Sequence, residues 1–118
     1  MELIIGKIYS GEEVNDIEEQ NANFDITRLS YFKLVEMSKF ELYDKNLITK
    51  NQWLENADNY DSYHTDLIDW MATELREDKN ILPPLVVDKD GFLQDGTHRL
   101  GAFHEISEVV NVLVFKEI

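Results

Sequence analysis

The residues best placed to do chemistry lie together in Gln94-Asp95-Gly96-Thr97-His98-Arg99-Leu100-Gly101-Ala102-Phe103, where an apolar strand gives way to a helix within a few positions. Gly96 admits the positive φ of a sharp reversal, so the turn can aim several backbone N–H groups at one point. Those amides, the positive end of the helix dipole and the Arg99 guanidinium one turn in favour an anion, above all a phosphate. Thr97 offers a hydroxyl, His98 a donor or an acid and base near neutral pH, and Asp95 a ligand for an accompanying Mg2+ or a proton acceptor. Each residue has a plainer reading as well. Asp95 can cap the helix, Thr97 fits a first helical turn unaided, His98 can sit at the surface, and Arg99 can pair with Asp90 or Asp95. A cation near a helix N-terminus is disfavoured by up to about 1 kcal/mol, which an anion would offset. His64 and His104 have no metal-ligand spacing, and no catalytic triad is apparent.

The elements that must position this turn are legible around it. Ile81-Leu82-Pro83-Pro84-Leu85-Val86-Val87-Asp88 reads as an extended, proline-led strand, and Asp88-Lys89-Asp90-Gly91 as a turn. Residues 84–94 therefore form a hairpin whose far end delivers Asp95 and Gly96. A helix from Thr97 to Ile106 buries Leu100, Phe103 and Ile106, with Gly101 and Ala102 letting it lie close to the sheet, and Val109 to Phe115 is a final strand. Upstream, Leu3 to Tyr9 is a first strand ended by Ser10-Gly11. Glu12 to Asp25 holds six acids and neither Lys nor Arg, which suits a solvated loop or short irregular helix. The mixed apolar spacing from Thr27 to Asp44 predicts a helix, with Lys33, Glu36, Lys39 and Glu41 outward and its Phe and Met residues in the core. Asn46 to Asn59 is polar and interrupted. Asp61 or Ser62 then caps a clearer amphipathic helix to about Glu77, with Trp70 read as packing rather than as a platform for a base.

At 118 residues, 43% of them hydrophobic, the chain suits one domain over 1–118 with a single core, of α+β class with a small mixed sheet packed by helices. Without cysteine it has no disulfide, thiolate metal site or thiol nucleophile. The sequence carries neither an apolar run of membrane-spanning length nor the pattern of a signal peptide, so a cytoplasmic location is expected. Charge is more informative, at 24 acids against 11 bases and a net of −13. Such a surface disfavours duplex DNA and suits a basic protein partner.

Hairpin, glycine turn, Arg-bearing helix and closing strand, in that order, resemble the ParB and sulfiredoxin superfamily. The pattern is a proline-containing apolar strand, a short returning strand, Gly-x-x-Arg-x-x-Ala on a helix, and a strand. Here it reads Pro83-Pro84-Leu85-Val86-Val87, Phe92-Leu93-Gln94, Gly96-Thr97-His98-Arg99-Leu100-Gly101-Ala102 and Val110-Asn111-Val112-Leu113-Val114. Asp66 to Ala72 resembles the family's preceding helix, so the resemblance covers about residues 60–118. It implies a nucleotide pocket, for ATP or CTP with Mg2+, in which Gly96, Thr97, His98 and Arg99 hold phosphates. Asp95 would then bind the metal, and Asp95 or His98 would handle a proton in phosphoryl transfer or hydrolysis. Thr97 stands where sulfiredoxins carry their cysteine, which removes reductase chemistry, and the chain stops where partitioning relatives continue into a helix-turn-helix. The competing expectation is an acidic, non-enzymatic protein, such as a phage or plasmid product that mimics DNA and blocks a DNA-binding host factor. A third is a degenerate relative kept as an oligomerisation module.

Overall fold

The computed structural model describes residues 2–18, 30–46, 63–78 and 80–118, with the backbone alone for 63–65. They form a small mixed α+β unit of five strands and four helices: β1 (Ile8–Ser10), α1 (Gly11–Ile17), β2 (Tyr31–Ser38), α2 (Lys39–Asn46), α3 (Tyr63–Glu77), β3 (Leu85–Val87), β4 (Leu93–Asp95), α4 (Thr97–Glu105) and β5 (Asn111–Glu117). The sheet runs β1-β2-β5-β3-β4, with β3 and β5 parallel and the other neighbours antiparallel. Its two faces carry separate cores. Leu85, Val87, Val112 and Val114 meet Leu42 of α2, Ile68, Ala72 and Leu75 of α3, and Leu100 and Phe103 of α4. On the other face Tyr9, Phe32, Leu34, Val86 and Phe115 pack against Val14 of α1.

The second half of the chain follows the sequence closely: α3, β4, α4 and β5 lie within two residues of their expected bounds, while β3 starts at Leu85, four residues after the expected start at Ile81. The first half does not. Residues 31–38 are a strand, not the first part of a helix. Phe32 and Leu34 serve one face of the sheet while Val35 and Met37 pack toward the other, so the inward alternation changes face between Leu34 and Val35 and the simple period of two is broken. Glu12 to Ile17 belongs to a short capped helix, the second of the two forms expected there. Glu13 N–H donates to Ser10 Oγ at 3.2 Å, and Ser10 N–H to Glu13 Oε1 at 3.2 Å. That reciprocal pair was readable as Ser-x-x-Glu.

Three side chains also depart from expectation. Lys39, expected at the surface, is 1% exposed. Its Nζ donates to Phe103 O at 2.8 Å and to Ile106 O at the C-terminal end of α4, where Phe103 O also accepts from Ile106 N–H at 3.1 Å. Burial lowers its pKa, against a smaller opposing effect of Glu108. Phe40 and Trp70, both expected in the core, are 50% and 54% exposed. Thr27, Leu29, Asn59, Asp61 and Ser62, with the interrupted stretch after Asn46, lie outside the described residues. Gly101 lies against α3 rather than the sheet, since a Cβ there would stand 3.1 Å from Ile68 Cδ1.

Candidate functional site

The β4–α4 turn is built from the residues the sequence singled out. Asp95 closes β4, where it faces Val86 across the ladder. Gly96 follows with φ +99 and is the N-cap of α4, without any side-chain cap. A Cβ on Gly96 would lie 2.5 Å from Leu85 Cδ2 and 3.2 Å from Arg99 Cζ, so space as well as backbone angle requires glycine. The capping role considered for Asp95 is therefore not taken up, because the cap position is one residue later. Thr97 and His98 open the helix half-buried.

Arg99 does not point outward. It is 8% exposed, and its NH1 donates to the carbonyls of Pro83 at 2.6 Å and Pro84 at 2.7 Å. Its NH2 donates to Glu18 Oε1 at 2.8 Å and lies 3.4 Å from Asp95 Oδ2. Of the two carboxylates considered as partners, Asp95 is adopted; Asp90 is exposed in the hairpin turn. The partner missed from sequence is Glu18, 81 positions away at the C-cap of α1. Within a run of six acids nothing distinguishes the one that turns inward, though a buried arginine beside one carboxylate can take another through its planar fork.

The three groups form a latch that joins both sides of the sheet: α1 belongs to one face, α4 to the other, and the guanidinium ties them to the strand lead-in at Pro83 and Pro84. One guanidinium serves two carboxyl groups. Burial pushes the Glu18 carboxyl up to about 7 despite the opposing attraction and hydrogen bond of Arg99, and the neighbouring Asp95 adds repulsion and a hydrogen bond that favour the protonated acid.

The arrangement thus places two carboxyl groups around a buried cation at the point where a phosphate was expected. Asp95 and Glu18 give two carboxyls beside a guanidinium, and no group of three or more His, Asp or Glu residues able to hold a metal occurs among the described residues. A cleft of about 220 Å³ among the described residues is lined by Leu3, Ile5, Glu36, Asn80, Phe103 and Leu113, among others, and by none of Asp95 to Arg99. His104 stacks on Tyr43 with ring centroids 3.9 Å apart and planes 4° from parallel. No described helix is long and apolar enough to cross a membrane.

No protein-family model, curated protein or solved structure matches the chain.

Proposed function

We propose that this protein is a non-enzymatic acidic interaction module that meets a basic protein partner through its surface carboxylates. One observation carries the reading: apart from Glu18 and Asp95, every described acidic residue is exposed or half-buried, whereas Lys39 and Arg99 are buried in internal contacts. Among the described residues two acids and two bases are buried, so the carboxylate excess of the composition lies on the surface. A field of that sign steers a positively charged partner and repels nucleic acid. Mimicry of nucleic-acid phosphates toward a DNA-binding host factor is the specific form this reading takes.

Calorimetric titration with oligo-lysine at low and high salt tests it. Binding that weakens steeply with salt, and weakens further when Glu12, Glu13 and Asp16 are changed to Gln, Gln and Asn, is the expected result. Absence of binding at low salt would overturn it.

A second reading keeps the ParB and sulfiredoxin resemblance and a nucleotide with Mg2+ at Gly96, Thr97, His98 and Arg99, with Asp95 on the metal. It is favoured by the element order α3-β3-β4-α4-β5 and by a helix N-terminus that no side chain caps. Its requirement is that a triphosphate replace Glu18 and Asp95 as the partner of Arg99. Saturable heat with ATP or CTP and Mg2+ would support it.

A further inference from the structure

The cleft of about 220 Å³ lies apart from the β4–α4 turn and draws its apolar lining from three parts of the chain. Leu3 and Ile5 come from the segment ahead of β1, Leu113 from β5 and Phe103 from α4. The first of these walls is pinned. Ile4 N–H donates to Tyr9 Oη at 3.0 Å, Gly6 N–H to Leu34 O at 2.7 Å and Lys7 N–H to Ile4 O at 3.1 Å, with Gly6 turning the chain at φ +91. Leu3 and Leu113 pack against the core of this face, whereas Ile5 keeps 56% of its surface open. Apolar surface is thus held in place at a cleft before anything enters it.

The polar groups at the cleft are uncommitted, unlike those of the Arg99 latch. Glu36 stands opposite Leu113 in the β2–β5 ladder and is the one carboxylate of the described lining. Among the described residues its carboxylate has neither a hydrogen bond nor an ion pair, and the Asn111 carboxamide has no hydrogen bond. Asn80 uses only its backbone N–H, toward Asp78 Oδ1. The ammonium bonded to Phe103 O, that of Lys39, is buried and turned to carbonyls instead of to Glu36.

We propose that this cleft binds a small organic cation, a primary ammonium on a compact apolar body, with the charge at Glu36 and the carbon skeleton over Leu3, Ile5 and Leu113. An apolar bed with a few convergent polar groups is the general form of a small-molecule site, and drug-sized examples begin at about 300 Å³, so the volume here suits a smaller ligand. The side-chain oxygens of Asn80 and Asn111 are further acceptors for ammonium hydrogens. A bond between an ammonium and a carboxylate is roughly twice as strong as its neutral counterpart, which gives the cation its preference. An anion of the same shape meets Glu36 and the field of a chain with a net charge of −13, and that field concentrates cations.

Four probes on the intact chain separate charge from shape: phenethylamine, phenethyl alcohol, phenylacetate and ethylamine, each followed by NMR at the backbone amides of Ile5, Glu36 and Leu113. Phenethylamine is expected to give saturable shifts there and to bind about tenfold more tightly than the alcohol. Phenylacetate gives none, and ethylamine, which has the charge without the body, binds no better than the alcohol. Glu36→Gln, a change at an exposed position, brings phenethylamine down to the level of the alcohol and leaves the alcohol as it was. Ile5→Ser weakens both. Equal binding of phenethylamine and the alcohol overturns the proposal, as does an advantage that survives Glu36→Gln. Shifts scattered over the acidic surface with none at these three amides overturn it as well.

Discussion

Arg99 shows how one residue type can support opposite functions depending on what it faces. Beside a glycine turn at a helix start it reads as an anion receptor; in the fold it already has two carbonyls and two carboxyl groups. The Glu18 proton is the measurable consequence. Its pKa of about 7 lies above the ordinary glutamate value of 4.5, so between these limits the folded state holds a proton the unfolded chain has released. Stability from this group is therefore full below about pH 4.5, falls as pH rises toward 7, and levels off above, a change on the order of 3 kcal/mol at most. In urea unfolding across that range, Glu18→Gln is expected to abolish this component of the slope; an unchanged slope would contradict the assignment. Gly96→Ala tests the turn that holds the latch. It forces alanine to φ +99 and its Cβ into Leu85, which predicts a loss of about 2 kcal/mol or more in the same assay.

At the scale of elements, how legible the chain was depended on whether local pattern or distant pairing decided the structure. The hairpin, its glycine turn and α4 were readable because proline, Asp-Gly and β-branched residues act locally. The β2 strand was misread because its character comes from partners far along the chain: it lies between β1 and β5, pairing with Asn111 to Glu117. Lys39 and Glu18 were misplaced for a related reason, since a charged residue goes inside only where another element offers carbonyls or a guanidinium. Lys39→Met keeps much of the length but removes the donor shared by Phe103 O and Ile106 O, and a loss of about 1–3 kcal/mol is expected from denaturant unfolding. In β2 and β5, Lys33 stands directly opposite Lys116, and like charges in cross-strand register repel. Lys33→Glu should raise the unfolding midpoint, by about 0.2–1 kcal/mol in stability, and a fall in that midpoint would show that the two ammonium groups are accommodated in some other way.

For the whole molecule the decisive feature is the division of charge between interior and surface. The interior takes two charges of each sign, Arg99 and Lys39 with Glu18 and Asp95, and the carboxylate excess stays outside. This division was only half legible, because composition gave the net of −13 while which charges turn inward depended on the fold. If the surface does the work, the glycine turn is architecture and a nucleotide has no claim on it. The most direct test is an NMR titration with ATP and Mg2+ followed at the backbone amides of Gly96, Thr97, His98 and Arg99. The account predicts that these signals stay in place through the titration; a saturable shift in them would contradict it and return the turn to its first reading as a phosphate site.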